Sequence, residues 1–419
     1  MRNYLIILFA LSTTNFIAQE DLIRKWTKDL CAPEMHGRGY VHNGDNIAAD
    51  YLVNEYVKLG LTPAPGQTNM RQPFEFPVNT FPGRMFLTLN GLEVKPGEGY
   101  IVSPASGSFE GELSPFLLNK VNFATVQSLV SMKKEIDFNR FNSIVVDKNG
   151  VTGDSLKMMD EIVVRWNKVM PIVEIFSKKF TWSVSTSEQK YPYVYLRDSL
   201  YANQEMYLHI ENVLEQRHTS NNVVAYIPAI KQTDKTIYFT AHYDHLGRMG
   251  EETYFPGAND NASGTAMLLS LAKHFKAFPS KFNIVFVCFA GEEAGLIGSR
   301  YYTENPLTKL SDIKFLVNLD IMGSGEEGIT IVNATLFPKA FKKFKKINRK
   351  GKLLSNVKSR GPAANSDHYF FTEKGVPAVF IYTMGPNKHY HDIFDTYEEL
   401  SFAEYDDLIE LLKQFVKKI

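Results

Sequence analysis

Four short apolar runs constrain the fold of this chain more than any other feature: Thr236 to Tyr243 (TIYFTAHY), Asn283 to Phe289 (NIVFVCF), Ile313 to Leu319 (IKFLVNL) and Ala378 to Tyr382 (AVFIY). Each is rich in β-branched or aromatic residues and bounded by polar residues or glycine, which reads as a strand. Between the first two, Leu268, Leu271, Ala272 and Phe275 recur at helical spacing. That alternation predicts a parallel or mixed sheet with helices packed on it, an α/β fold. Leu408, Leu411, Leu412 and Phe415 share a face at the end of the chain and predict a closing amphipathic helix over Phe402 to Ile419.

The strand ends carry the chemistry. Five segments, AHYDHLG (Ala241 to Gly247), PGANDNASG (Pro256 to Gly264), FAGEEAG (Phe289 to Gly295), VNLDIMG (Val317 to Gly323) and HYHDIFDT (His389 to Thr396), supply two imidazoles and at least three carboxylates but no thiolate. Such a nitrogen-and-oxygen set suits zinc in a hydrolytic centre. In sheets of this kind the ligand crevice lies beyond the carboxyl ends of the strands, where His242, the pair Glu292 and Glu293, and Asp320 fall. Alone, His-x-Asp is an ordinary surface pair and Gly-Glu-Glu an ordinary helix start; five such segments in one chain are not ordinary.

Taken in order, these segments resemble those of the co-catalytic zinc exopeptidases, a family that includes secreted bacterial leucyl-type aminopeptidases, glutamate carboxypeptidase, the transferrin receptor and the glutaminyl cyclases. The resemblance covers residue 222 to the C-terminus, plus HGRGYVHNGDNIAADYLVNEYVKLGL (His36 to Leu61), similar to the family's lead-in helix. It implies a three-layer α/β/α mixed sheet and two zinc ions per chain. Asp260 would bridge them, His242 and Asp320 would complete one site, and Glu293 with His391 the other. Glu292 would be the general base, and the Asp260–Asn261 peptide would be cis. Two residues after His242 in extended backbone, Asp244 would accept that imidazole's other N–H, and Asp395 would do the same for His391. The HxxxDT spacing selects His391 over His389. Tyr390 resembles a tyrosine that steadies an oxyanion in some members, with a packed aromatic as the alternative. Asp367 and His368 read as structural residues outside the ligand set. The implied activity is an aminopeptidase acting on peptides; a single-zinc glutaminyl cyclase and a noncatalytic receptor are the alternatives.

Length and composition add the frame. With 419 residues the chain is long for one domain. The expected division is a leader over residues 1–18, a catalytic domain over 19–71 plus 217–419, and an inserted β-rich segment, protease-associated-like, over 72–216. The insert should contain a hairpin at Asn90-Gly91, strands at Ser143 to Val146 and Tyr193 to Leu196, and a helix near Leu156 to Trp166. It would wall one side of the cleft. The 46 basic and 46 acidic residues balance, so no charge footprint for nucleic acid exists. YLIILFALSTTNFIA near the start is too short for a membrane span and reads as an export leader, with no second run of membrane length. Periplasmic or extracellular placement follows. Cys31 and Cys288 predict no disulfide framework, and the lysine-rich stretch Lys339 to Lys352 reads as a solvated helix with an apolar face. Nothing in the sequence specifies an oligomeric state.

Overall fold

The computed structural model describes residues 22–131, 140–202 and 204–419; the expected leader lies outside them. Eight strands form the main sheet: β1 (Arg71–Thr80), β2 (Val213–Ile227), β3 (Thr236–His242), β4 (Asn283–Phe289), β5 (Ile313–Leu319), β6 (Ile329–Val332), β7 (Val357–Ser359) and β8 (Ala378–Thr383), in the spatial order β1-β2-β4-β3-β5-β8-β6-β7. The four apolar runs are β3, β4, β5 and β8, adjacent and parallel at the centre. Antiparallel partners flank them, β2 against β4 and β6 against β8, so the sheet is mixed.

Strand periodicity explains why both faces are covered. Ile237, Phe239, Ala241, Ile284, Phe286 and Cys288 point into one core, which also holds Leu52 and Tyr56 of the helix Gly44–Lys58, Leu268 and Leu271 of Ser263–Ala277, Phe344 of Pro338–Gly351, and Leu412 and Phe415 of Tyr405–Lys418. The alternate residues Tyr238, Val285, Val287 and Phe289 point into a second core with Tyr302 of Ile297–Glu304 and Phe371 of His368–Glu373. Successive strand side chains face opposite ways, so each central strand is apolar throughout and the result is a three-layer α/β/α fold. Each large apolar side chain buried in this way contributes roughly 1.5–3 kcal/mol. The closing helix is present, and the lysine-rich helix buries Ala340, Phe344 and Ile347 while its lysines face outward. Among the described residues no helix is long and apolar enough to cross a membrane. Cys31 and Cys288 are free and buried.

The segment between β1 and β2 builds two smaller sheets. One is four-stranded and includes the hairpin of Met85–Leu89 with Leu92–Val94, whose turn residues Asn90 and Gly91 both have positive φ. The other is five-stranded, contains Ser143–Asp147 and Tyr193–Arg197, and packs its own core against the helix Gly153–Trp166. Two expectations need adjustment. Residues 72 and 216 fall inside β1 and β2, which pair with each other in the main sheet from Arg71↔Val223 to Thr80↔Val213, so the added part begins after Thr80 and ends before Val213. It is also not simply β-rich, because the Ser143–Asp147, Ile172–Phe176 and Tyr193–Arg197 strands run parallel and Lys120–Ser131 and Gly153–Trp166 are helices.

Candidate metal centre

His242 ends β3, Asp320 follows β5, and Glu292 and Glu293 lie in the turn after β4, so three neighbouring parallel strands deliver them to one rim. Asp260 comes from the tight turn that opens the helix Ser263–Ala277, and His391 from the loop after β8. Both oxygens of Asp260 face an imidazole. Oδ1 lies 3.3 Å from His242 Nε2, and Oδ2 lies 3.1 Å from His391 Nε2. His242 Nε2 is also 3.3 Å from Asp320 Oδ1, and His391 Nε2 is 3.2 Å from Glu293 Oε2.

Four of these five groups have their remaining atom occupied by an outer partner. His242 Nδ1 donates to the Asp244 carbonyl at 3.1 Å, and His391 Nδ1 donates to the Trp182 carbonyl at 2.8 Å. Since carbonyl oxygens only accept, both rings carry a proton on Nδ1 and turn Nε2 toward the centre. Ser366 Oγ donates to Asp320 Oδ2 at 3.0 Å, and His245 Nδ1 donates to Glu293 Oε1 at 2.7 Å. Asp320 Oδ1, Glu293 Oε2 and both oxygens of Asp260 are thereby left for the centre. Asp260 Oδ2 is buried and makes no hydrogen bond despite its imidazole neighbour, the geometry of two groups aimed at a common third rather than at each other. The ligand atoms of His242, Asp260 and Asp320 all lie within 4.8 Å of one another, as do those of His245, Asp260 and Glu293. Imidazole and carboxylate at these separations fit zinc.

The charges are as compressed as the geometry. Burial opposes ionisation of Asp260, but the imidazoles of His242 and His391 on either side outweigh it and hold its carboxyl well below the usual range. Burial likewise disfavours a charged His391, yet Glu293 and Asp260 lift it to about 11. Glu292 differs: burial, reinforced by the neighbouring Glu293, raises its carboxyl well above the ordinary value. Among the described residues no hydrogen bond or ion pair engages that carboxylate, which lines a cavity of about 300 Å³ together with His242, Asp260, Asp320, Tyr390 and His391. The Tyr390 ring stacks on His391 with centroids 3.8 Å apart and is half exposed. Burial pushes its hydroxyl up, so it stays a donor. The Asp260–Asn261 peptide is cis, as the resemblance implied.

Two orienting roles differ from expectation. The Asp244 carboxylate is 3.8 Å from His242 Nδ1, which bonds the main-chain oxygen instead. It accepts from Tyr40 Oη at 2.7 Å and from the backbone N–H groups of Glu292 and Glu293 at 3.3 and 3.2 Å. The turn after β4 presents two adjacent N–H groups, and a carboxylate satisfies them better than a ring that already has a partner. Asp395 similarly does not reach His391; it accepts from the backbone N–H groups of Asn259 and Asp260 at 3.0 Å. His389 stays outside, 3.4 Å from Asp392, and Asp367 and His368 belong to neither ligand set.

Sequence reading missed two contributors. His245, fully buried, lies within the AHYDHLG segment, and a third imidazole there was the available signal; a Cβ at Gly257 would collide with its ring. Arg38, also fully buried, donates to the carbonyls of Leu30, Tyr243, Pro256 and Gly257 at 2.7–2.8 Å and ties the two ligand-bearing loops to the N-terminal segment. It sits in the quoted His36 to Leu61 piece, but its partners are main-chain oxygens that no residue type announces.

Known proteins resemble this chain in the sequence of its second half and in fold. Residues 222–416 match peptidase family M28. Aminopeptidase YwaD of Bacillus subtilis is 39% identical over 114 residues, 26% of this chain and 23% of that protein, and a probable leucine aminopeptidase of Trichophyton verrucosum is 27% identical over 215 residues, 48% of this chain and 56% of that protein. The first of these matches thus spans about a quarter of the curated relative's length. In fold, a zinc aminopeptidase of Bacillus subtilis aligns over 95% of this chain and 94% of its own with a TM-score of 0.69 at 18% identity. A peptidase M28 precursor of Shewanella amazonensis aligns over 96% of both chains with a TM-score of 0.62 at 16% identity.

Proposed function

We propose that this chain, whose residues 222–416 match peptidase family M28, is a zinc-dependent exopeptidase that releases N-terminal residues from peptides. The observation that carries this reading is the outward anchoring of four of the five candidate ligand side chains, which leaves one inward atom on each of the four, while both oxygens of Asp260 face inward. In this proposal His242, Asp260 and Asp320 hold one zinc, and Asp260, Glu293 and His391 hold a second. Bound there, zinc supplies Lewis acidity toward a water and the scissile carbonyl. The chain does the rest. Glu292, with its raised carboxyl and unengaged oxygens at the cavity, accepts the attacking water's proton and returns it to the leaving amine nitrogen. Asp244 keeps that glutamate in register by holding its backbone, and the hydroxyl of Tyr390, a residue that lines the same cavity, donates to oxygen charge developing on the substrate. We further read the segment between β1 and β2 as a protease-associated-like insert that walls the cleft.

The test is to incubate the zinc-loaded protein with a mixed peptide library and identify which end shortens. Stepwise loss from the N-terminus supports the proposal. Shortening from the C-terminus, or pyroglutamate formation without hydrolysis and with one zinc per chain, rejects it.

A further inference from the structure

The cavity beside the candidate ligands has one feature that the hydrolytic machinery does not use. Beyond the metal-facing side it is closed by Ile321, Phe380, Tyr382, Asn365 and Arg360. Phe380 and Tyr382 lie on the same side of β8, two residues apart, with ring centroids 5.4 Å apart. Ile321 holds a left-handed conformation at φ 57°, which is costly for a β-branched residue. It is clamped by hydrogen bonds from its N–H to Asn261 Oδ1 and from Thr383 to its carbonyl. Ile321, Phe380 and the Tyr382 ring therefore give that wall a largely apolar face, with Ile321 held in place.

Arg360 is the exception in it. Its backbone N–H bonds the Ile331 carbonyl at 2.9 Å, anchoring it just past the end of β7. No hydrogen bond or ion pair among the described residues engages its guanidinium. Apart from the ligand imidazoles, every other ionisable group that lines the cavity is a carboxyl or a tyrosine hydroxyl. A planar guanidinium with free donors at the edge of a small cleft recognises a carboxylate in a bidentate pair.

Resting on the peptidase reading above, we propose that Arg360 is a specificity-determining residue that selects substrates presenting a carboxylate close to the scissile bond. Phe380 and Tyr382 would pack the aliphatic part of the same substrate residue. The carboxylate has two sources in a peptide: an aspartate or glutamate side chain at the N-terminal position, or the free C-terminus of a dipeptide.

The experiment compares glutamyl- with leucyl-p-nitroanilide in one arm, neither of which has a C-terminal carboxylate, and Leu-Leu with its C-terminal amide in the other. Wild type should favour the carboxylate-bearing member of at least one pair, and the responding arm identifies the source. Arg360→Met should lower that kcat/KM ratio roughly 10- to 100-fold, the size of one charge-assisted pair, and Arg360→Lys should restore part of it. Equal rates within both pairs, or a preference that survives Arg360→Met, overturns the assignment while leaving the peptidase reading standing. If the zinc-loaded wild type hydrolyses none of the four substrates, the peptidase reading fails and this proposal falls with it.

Discussion

Replacing Asp244 by Asn separates two things a buried carboxylate does in this centre. The side chain is fully buried, and its three donors are divided: Oδ2 receives Tyr40 Oη and the Glu293 N–H, while Oδ1 receives the Glu292 N–H. An asparagine has only one acceptor oxygen. In its better orientation that oxygen keeps Tyr40 and Glu293, and its amide nitrogen then faces the Glu292 N–H, donor against donor. Leaving that N–H unpaired costs about 1–3 kcal/mol, and turning two charge-assisted bonds into neutral ones costs about 1 kcal/mol each. Against this stands a gain. Burial pushes the Asp244 carboxyl up to about 6 from 3.8, so keeping it ionised above that pH costs roughly 3 kcal/mol, which a neutral amide avoids.

The two effects largely offset each other, so urea unfolding of Asp244→Asn should show a loss of about 0–2 kcal/mol relative to wild type. Catalysis has no such compensation. The lost contact is the one that holds the backbone of Glu292, and a displacement of about 1 Å in a catalytic group costs on the order of 100-fold. The expected result is an approximately 100-fold fall in kcat with zinc content preserved. A variant that kept full kcat would refute the claim that Asp244 positions the Glu292–Glu293 turn. One that lost zinc instead would mean that the carboxylate acts on His242 after all.

Glu292→Gln should retain metal and fold while kcat falls by roughly 100- to 10,000-fold, as expected when a general base is removed; calorimetric zinc titration alongside turnover checks it, and near-normal turnover would remove Glu292 from the mechanism. His245→Leu removes the donor that fixes Glu293 Oε1, so one zinc of the proposed pair should bind about 10- to 100-fold more weakly while the other is spared; two unchanged affinities would rule that role out. His274 gives a pH signature remote from the centre. Burial, aided by Lys413 and Lys417, lowers its imidazole to about 4 from 6.5. Its neutral form therefore favours folding above pH 6.5, and that contribution is lost as pH falls through about 4. After discounting for partial exposure, His274→Gln should remove about 1–2 kcal/mol of the acid destabilisation between those values, and pH-dependent denaturation curves that superimpose with wild type would contradict it.

What the sequence made legible was the part written in side-chain identity and period. The four runs became the central strands because alternating faces had to be buried on both sides, and the groups at their ends meet because parallel strands end together. Asn90-Gly91 became a hairpin turn because positive φ at two successive positions admits few other residues. What escaped was orientation. Asp244 and Asp395 were expected to face imidazoles because they are near them in sequence. Both instead satisfy backbone N–H groups of turns, where the need for an acceptor exists only once the chain has bent. His242 and His391 are held by carbonyls, which every residue possesses and no residue type reveals.

The same reasoning bears on why the inserted segment is more than an appendage. Trp182 belongs to it, and its main chain makes two bonds to one residue of the centre: its carbonyl accepts from His391 Nδ1, and its N–H donates to the His391 carbonyl at 2.9 Å. Three residues earlier, Lys179 reaches the carbonyls of Lys388 and Tyr390 and pairs with Asp392 at 2.9 Å. The Trp182 ring stacks on Phe255 with centroids 4.7 Å apart, close to the loop that carries Asp260. The loop bearing His391 has that residue at a positive φ of 58° and no strand partner of its own, so its conformation depends on these contacts. A side chain can be substituted without disturbing a main-chain acceptor. Only a change in the path of the insert would free the His391 ring, which makes the segment a structural part of the centre.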